Sequence, residues 1–358
     1  MAGGSQRTRN LVAIGLNGLF VVASTLFGLA VLEAVIRVWQ GTGSRLPAVA
    51  EQLRMPYPAA HDPLLGYIPQ PNSLSLENYW DNRVTVTADG TRSNGNDSRP
   101  KGPPILAVGD SFTFGDEVDD HETWPAHLER LTGRRVNNAG VFGYGFDQMV
   151  LRAEQLLERL DPAPELLIVS LITDDVKRCE FSYRYAWKPY FEIDHGALTL
   201  RNVPVPTPDA QLPFEPPWQR WARMSFLVDL VMTRLHPDGW LLPQSVRVHE
   251  QGIEVSELLV DRLRDRFPDL AMLFVLQWDP NRADQAALPA LARAKRRGIP
   301  TLRMKPILRS VIGFDDDRIG ELFFVQGGPG GVKTRHMHDA GNLVVAKLIA
   351  ERLREIGR

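Results

Sequence analysis

The chain has little cysteine, little net charge and, near its N-terminus, a long stretch without any charged residue. A single cysteine, Cys179, excludes an intrachain disulfide and any cysteine-based metal site. A formal net charge of −2 and a pI near 6.5 provide no basic field of the kind that attracts nucleic acid. We therefore expect no nucleic-acid partner.

The uncharged stretch runs from Leu11 to Leu32. It is long enough to cross a bilayer core of about 30 Å, whereas cleavable signal peptides have apolar regions of only about 7–15 residues. Arg7 and Arg9 precede it, which favours a cytoplasmic N-terminus. We predict that residues 1–40 are an uncleaved signal anchor with a transmembrane helix over 11–32. The rest of this single-pass membrane protein would then lie outside the cytoplasm.

After a linker and lead-in over residues 41–100, strand and helix patterns alternate through residues 101–358. Such alternation predicts an α/β fold with a parallel sheet and right-handed crossovers. The predicted strands are Ile105–Val108, Arg135–Asn138, Leu166–Leu171, Ala271–Gln277 and Thr301–Met304. The predicted helices are Glu122–Leu131, Phe146–Leu160, Val255–Arg266, Asp284–Arg297 and Ala340–Ile356.

An insertion over residues 179–252 interrupts the alternation. Tyr190–Leu200 is typical of a hairpin that turns at His195-Gly196, and the prolines between Pro204 and Pro217 exclude regular structure there. Residues from Trp218 to Leu235 are predicted to form a helix. The insertion is either a substrate-binding cap or a packing element, and the sequence leaves both open.

The triplet Gly109-Asp110-Ser111 directly follows the predicted strand Ile105–Val108. It places a serine at the carboxyl end of a strand, where open α/β sheets carry their reactive groups. Alternatively, the triplet only turns the chain, with Asp110 or Ser111 capping a helix. On its own the triplet does not decide between these interpretations.

Further polar blocks follow later strands or open the last helix. They are Asn138-Ala139-Gly140 with Gly143, Thr173-Asp174-Asp175, and His336 with Gly341. Together with the triplet, these blocks resemble the SGNH/GDSL hydrolase superfamily over residues 60–358. The lead-in segments Asp62–Tyr67 and Val84–Arg92 resemble those of its membrane-anchored bacterial members. The resemblance implies a three-layer α/β/α fold with a parallel five-stranded sheet, flavodoxin-like in architecture.

The resemblance also implies the roles of individual residues. Ser111 would be the nucleophile and His336 its base, because His336 has the family's five-residue spacing to Gly341; His338 is the less favoured alternative. The oxyanion hole would consist of the N–H groups of Ser111 and Gly140 and a side chain at the position of Asp174. His336, His338 and Asp339 are an alternative set of metal ligands, but no third ligand motif accompanies them, and we expect neither a metal nor a cofactor.

Two positions depart from the family pattern, so the third and last blocks are degenerate. Asp174 stands where the family has an asparagine, and an ionised carboxylate donates no hydrogen bond. Either Asp174 is protonated, or two backbone donors suffice, or the alignment slips by one residue.

The second departure concerns the acid that orients the histidine. The family's aspartate precedes the histidine by two or three residues, but those positions here are Lys333 and Thr334. A substitute from elsewhere or a backbone carbonyl would then orient His336; the candidate substitutes are Asp279, Asp315, Asp316 and Asp317. We interpret Asp339 as the cap of the last helix, and the acidic residues from Asp116 to Asp120 as a solvated loop.

The function that these expectations favour is a membrane-tethered serine esterase. It would remove acetyl or short acyl groups from a cell-envelope glycan or glycolipid through an acyl-enzyme. One alternative is an O-acyltransferase acting on an exopolysaccharide, in which a sugar hydroxyl replaces water. A second alternative is a catalytically degenerate domain that binds glycan or protein, and a third, less favoured, is a metal-dependent phosphatase built on Asp110, Asp174 and Asp175.

Overall fold

A computed structural model describes residues 3–39, 57–76, 81–96, 100–207, 216–222, 224–236, 245–278, 284–315 and 336–358. The chain divides into two compact units. One consists of Met1–Gln52 with Asp209–Pro243, and the other of Leu53–Pro208 with Gln244–Arg358.

The predicted helices are present to within a few residues, except at two places, and the short helices Ser111–Phe114, Thr173–Arg178 and Met304–Ser310 are additional. The helices of the described residues are α1 Gly3–Trp39, α2 Ser111–Phe114, α3 Trp124–Thr132, α4 Phe146–Arg159, α5 Thr173–Arg178, α6 Pro217–Ala222, α7 Phe226–Leu235, α8 Gly252–Arg266, α9 Leu288–Arg296, α10 Met304–Ser310 and α11 Asp339–Glu355. The predicted helix Asp284–Arg297 is a 3₁₀ turn at Asp284–Ala286 followed by α9, because Pro289 favours a helix start. The predicted helix Trp218–Leu235 is two helices, because Ser225 caps a new one.

The strands include all five that the sequence predicts, and in addition short antiparallel pairs. They are β1 Ala59–Asp62, β2 Gly66–Pro69, β3 Leu74–Ser75, β4 Val84–Thr85, β5 Ile105–Val108, β6 Val136–Asn138, β7 Leu166–Leu171, β8 Phe181–Arg184, β9 Ala186–Trp187, β10 Tyr190–Asp194, β11 Ala197–Arg201, β12 Ser245–Arg247, β13 Ala271–Leu276 and β14 Thr301–Arg303.

A five-stranded parallel sheet in the order β14-β13-β7-β5-β6 organises the second unit. Successive residues of each strand face opposite sides. In β5, Leu106 and Val108 join one apolar cluster with α4, α8 and α9, while Ile105 and Ala107 join the other with α3, α10 and α11. The predicted three-layer α/β/α fold is confirmed.

Part of the insertion packs on this unit. β10 and β11 pair as a hairpin that turns at His195 and Gly196, both with positive φ, as the sequence predicts. Phe191 of this hairpin is fully buried in the apolar cluster beside α4 and α8. This segment is therefore a packing element.

The first unit contains the apolar helix. Its segment Gly15–Trp39 contains an 18-residue window with a mean hydropathy of 2.3, and only 6% of that window is buried. By length and composition it suits a membrane span, and a signal sequence would have the same properties. The predicted span 11–32 lies within α1.

Candidate active site

The serine of the Gly109-Asp110-Ser111 triplet begins a short helix after strand β5. Asp110 is the N-cap, and its Oδ1 accepts the N–H of Phe112 at 3.0 Å. A Cβ at position 109 would lie 2.0 Å from Thr113 Oγ1, so the turn accepts only glycine. The triplet therefore does turn the chain with Asp110 as the cap, and the same turn fixes the position of Ser111.

His336 connects this serine to a carboxylate. Its Nε2 lies 2.9 Å from Ser111 Oγ, and its Nδ1 lies 2.5 Å from Glu117 Oε1. The Phe112 ring packs against the imidazole at 5.1 Å between centroids. The hydroxyl, the imidazole and the carboxylate thus lie in the spatial order that makes a serine nucleophilic. The imidazole can take the hydroxyl proton through one nitrogen while the carboxylate binds the other nitrogen.

The carboxylate that contacts His336 is one that the sequence interpretation assigned to a solvated loop, and that interpretation is wrong. The Glu117 side chain is only 1% exposed, and Asp116 and Asp120 are 4% and 3% exposed. Lys333, Thr334, Asp279, Asp316 and Asp317 lie outside the described residues.

Arg92 explains why the acidic loop turns inward. Its guanidinium is buried beneath the loop and forms an ion pair with Asp120, with 3.2 Å between Nε and Oδ1. It also donates to the carbonyls of Phe114 at 3.0 Å, Gly115 at 2.5 Å and Val118 at 2.6 Å. One cation therefore satisfies both the charge and the backbone of the loop that carries Glu117.

The pKa values of two groups in the site, His336 and Asp116, are raised, so both groups bind protons more readily than usual. Burial favours neutral imidazole, but the Glu117 hydrogen bond and the charges of Asp116 and Glu117 outweigh it, so the pKa of His336 lies above its usual 6.5. Burial raises the pKa of Asp116 to about 7, and the Glu117 charge acts in the same direction against the opposing charge of His336. Asp116 Oδ2 lies 3.9 Å from His336 Nε2. Asp116 and His336 are therefore close enough for the charge of each to shift the pKa of the other.

Gly140, one of the predicted oxyanion donors, has its backbone packed directly against the serine helix. A Cβ there would lie 2.3 Å from the nitrogen of Phe114, so only glycine allows this approach. The Gly140 N–H donates to Asn138 Oδ1 at 3.1 Å. To bind an oxyanion, this N–H would have to exchange that intramolecular bond for a bond to the substrate.

Asp174, the third predicted member of the oxyanion hole, lies in a cluster of charges. Its Oδ2 accepts from Arg178 Nε at 3.3 Å and lies 3.9 Å from Arg184 Nη2. Arg178 also binds Asp110 at 3.1 Å and Asp175 at 2.8 Å. With guanidinium groups as its partners, the Asp174 side chain acts as a hydrogen-bond acceptor in this cluster.

The other members of the last block have structural roles. His338, not Asp339, caps α11, because its Nδ1 accepts the N–H of Ala340 at 3.1 Å. Asp339 binds His127 Nε2 at 2.8 Å instead, which corrects the prediction that it caps the helix. Among the described residues, no group of three or more His, Cys, Asp or Glu side chains is placed to hold a metal ion.

Comparison with known proteins gives matches to solved structures alone. No family model and no curated protein matches the chain. A G-D-S-L-family lipolytic protein from Desulfitobacterium hafniense matches at 13% identity and a TM-score of 0.41, over 70% of this chain and 100% of that one. One from Veillonella parvula matches at 14% identity and 0.38, over 71% and 98%.

A two-domain esterase active on acetylated mannans matches at 16% identity and a TM-score of 0.38. The match covers 71% of this chain and 49% of that esterase. The GDSL superfamily, which the sequence blocks resemble, is thus also represented among the structures that this chain matches. At these identities and TM-scores, the matches identify no activity or substrate for this chain.

Proposed function

We propose that the protein is a serine esterase of the SGNH/GDSL type, with Ser111, His336 and Glu117 as its catalytic relay. The observation that carries the proposal is the pair of contacts on His336, to the Ser111 hydroxyl on one nitrogen and to the buried Glu117 carboxylate on the other. Glu117 and Ser111 precede His336 by 219 and 225 positions in the chain, and the fold brings both side chains to its imidazole. The completeness of the relay argues against the degenerate, purely binding alternative.

The reaction follows from these positions. His336 Nε2 accepts the proton as Ser111 Oγ attacks the ester carbonyl, and the Glu117 charge stabilises the imidazolium that forms. The tetrahedral intermediate collapses as His336 returns the proton to the leaving alcohol. Water then attacks the acyl-serine by the same proton transfers in reverse. The N–H groups of Ser111 and Gly140 would bind the oxyanion, so of the explanations for Asp174 we favour a hole of two backbone donors.

The nucleophile is tested with p-nitrophenyl acetate and a fluorophosphonate probe. We expect Ser111→Ala to abolish probe labelling, and Ser111→Ala and His336→Ala each to lower kcat/KM by about 10³-fold or more. Ser310→Ala, at an exposed serine on α10, is the matched control and should behave as the unsubstituted chain. Full activity in His336→Ala would refute the assignment.

For the location and substrate we propose an esterase tethered to the membrane by α1, acting on acetyl or short acyl groups of a cell-envelope glycan or glycolipid. The apolar helix supports the tether, and the proposed location supports the substrate class. An uncleaved anchor predicts that the purified protein keeps its full mass of 40.2 kDa. Loss of the N-terminal segment in intact-mass spectra would rule out the tether.

An acylated oligosaccharide distinguishes hydrolysis from acyl transfer. We expect release of free acid at a rate that does not depend on an added unacylated oligosaccharide. If the acyl group instead appears on the added oligosaccharide, the protein is an O-acyltransferase that uses the same serine.

A further inference from the structure

The insertion supplies two helices, α6 and α7, to the same compact unit as the apolar helix α1. Glu33 of α1 binds the first turn of α7. Its carboxylate accepts from Ser225 Oγ at 2.9 Å and from the N–H groups of Phe226 at 3.0 Å and Leu227 at 2.9 Å. A negative charge at a helix N-terminus is stabilised both by these donors and by the helix dipole.

Arg37, one turn further along α1, completes the connection. It forms an ion pair with Glu33 at 2.8 Å and donates to the carbonyl of Met224 at 3.2 Å. Its guanidinium also lies 5.0 Å from the centroid of the Phe226 ring. Glu33 and Arg37 are the first charged residues after the apolar run, and both hold α7 at the end of that run.

Helix α7 is apolar on the side that it exposes. Val228, Val231 and Leu235 are spaced by three and four residues, which places them on one face of the helix, and they are 37%, 42% and 67% exposed. Apolar residues make up most of α7. A helix that presents an apolar face outward needs an apolar partner for that face.

Helix α6 presents aromatic rings in the same unit. Trp218 and Trp221 lie three residues apart and are 63% and 71% exposed. Trp39, at the end of α1, is 78% exposed. Tryptophan is enriched at the membrane–water boundary, where its ring sits among lipid headgroups.

We propose that α6 and α7 lie in the interfacial layer of the lipid bilayer, held there by Glu33 and Arg37 at the end of the spanning helix. Lipid is the partner because α7 is bonded through Glu33 and Arg37 to α1, whose exposed apolar side chains, including Val35 and Val38, suit lipid. The insertion thus forms a second membrane contact of the protein. This proposal depends on α1 spanning the membrane, and it is independent of the hydrolytic reaction.

Spin labels on introduced cysteines test the proposal in the full chain, reconstituted in lipid nanodiscs. The native Cys179 is buried, so labelling of the unsubstituted chain provides the background. Val231→Cys reports on α7, Val21→Cys on the middle of α1, and Leu131→Cys, at a 47% exposed leucine of the second unit, serves as the aqueous reference.

We expect the label at position 231 to collide more often with dissolved oxygen than with a water-soluble nickel chelate, as the label at 21 does, and the order to reverse at 131. A reading at 231 that matches 131 would overturn the proposal. An aqueous reading at 21 would overturn it as well, because α1 would then not span the membrane. Fluorophosphonate labelling of Ser111 in the same samples shows separately whether the proposed esterase site is intact.

The contribution of the Glu33 contact is tested by a second substitution. Glu33→Ala should increase the mobility of the label at 231 and reduce its lipid exposure, while Glu351→Ala, on helix α11 of the second unit, should change neither. An unchanged spectrum in Glu33→Ala would show that this carboxylate does not hold α7.

Discussion

At the scale of single residues, the candidate site depends on one backbone position that is unfavourable by itself. Glu117 has a φ of +76°, and a non-glycine residue in this region costs on the order of 1–3 kcal/mol. Its N–H donates to Tyr57 Oη at 3.1 Å, and Arg92 holds the carbonyls on either side of it. The strain is therefore offset by bonds that place the carboxylate against His336.

Replacing Glu117 tests whether it positions His336. We expect Glu117→Gln to lower kcat on p-nitrophenyl acetate by about 10³- to 10⁴-fold, because an uncharged amide neither fixes the tautomer nor stabilises the imidazolium. Glu158→Gln, at a half-exposed glutamate on α4, should leave kcat unchanged. Near-normal kcat in a folded Glu117→Gln protein would show that another group orients the histidine.

The pH profile should report the raised pKa of His336. Only neutral imidazole accepts the serine proton, so kcat/KM should rise with pH with an apparent midpoint above 6.5. In Glu117→Gln the residual activity should have a lower midpoint, because a negative charge that favours imidazolium is gone. A midpoint below 6.5 in the unsubstituted protein would contradict the assigned environment.

Asp116 should give the folded protein a pH-dependent stability. Its pKa rises from about 3.8 to about 7 on folding, so between these values the folded state binds more protons than the unfolded state. Stability therefore falls as the pH rises from about 4 to about 7. We expect Asp116→Asn to remove part of this slope, as measured by urea unfolding at several pH values. An unchanged slope would mean that Asp116 is ionised in the folded state throughout.

At the scale of elements, the loop from Gly115 to Asp120 and the lead-in strands form one structural piece. Arg92 reaches the loop from the lead-in and also pairs through its backbone with Asn138. The lead-in thus connects the loop after β5 with the end of β6. Through Arg92 the lead-in fixes the backbone on either side of Glu117, the carboxylate beside His336.

Removing the Arg92 charge should destabilise the loop from Gly115 to Asp120 and the lead-in strands that it contacts. Arg92→Met removes the buried counter-charge of Asp120, which costs about 3–5 kcal/mol. Arg83→Met, which removes an exposed guanidinium 3.8 Å from the same carboxylate, should cost about 1 kcal/mol or less. Urea unfolding measures the free energy of unfolding of both variants. Equal losses of stability would show that the buried contacts of Arg92 contribute no more than the exposed contact of Arg83.

At the scale of the whole molecule, the chain combines an α/β unit with a unit that contains an apolar helix. Of the described residues, those of α1 include many large apolar side chains that are more than half exposed, such as Phe20 at 74% and Phe27 at 72%. Exposure of this extent is unfavourable in water and favourable in lipid. This contrast is the basis for the proposed membrane tether.

Charges introduced into α1 should release the protein from membranes. Leu19→Arg combined with Val22→Arg adds two arginines at positions that are 66% and 55% exposed, at a cost of about 5–7 kcal/mol for insertion. We expect the double variant to become extractable with alkaline carbonate. Leu131→Arg, in the second unit, should remain with the membrane fraction, and resistance of the double variant would contradict a span at α1.

The sequence by itself determined the five strands, their order along the chain and the long apolar helix, because these features depend on local patterns of apolar runs and turn residues. The pairing of Ser111 with His336 was implied by the resemblance of the sequence blocks to the SGNH/GDSL superfamily. The tertiary structure alone decided that Glu117 is the acid beside His336, that Asp339 binds His127, and that α7 joins α1. Each of these depends on a partner far away in the chain, such as Arg92 for the acidic loop or Glu33 for Ser225. A charged residue looks the same in sequence whether it faces water or a distant counter-charge.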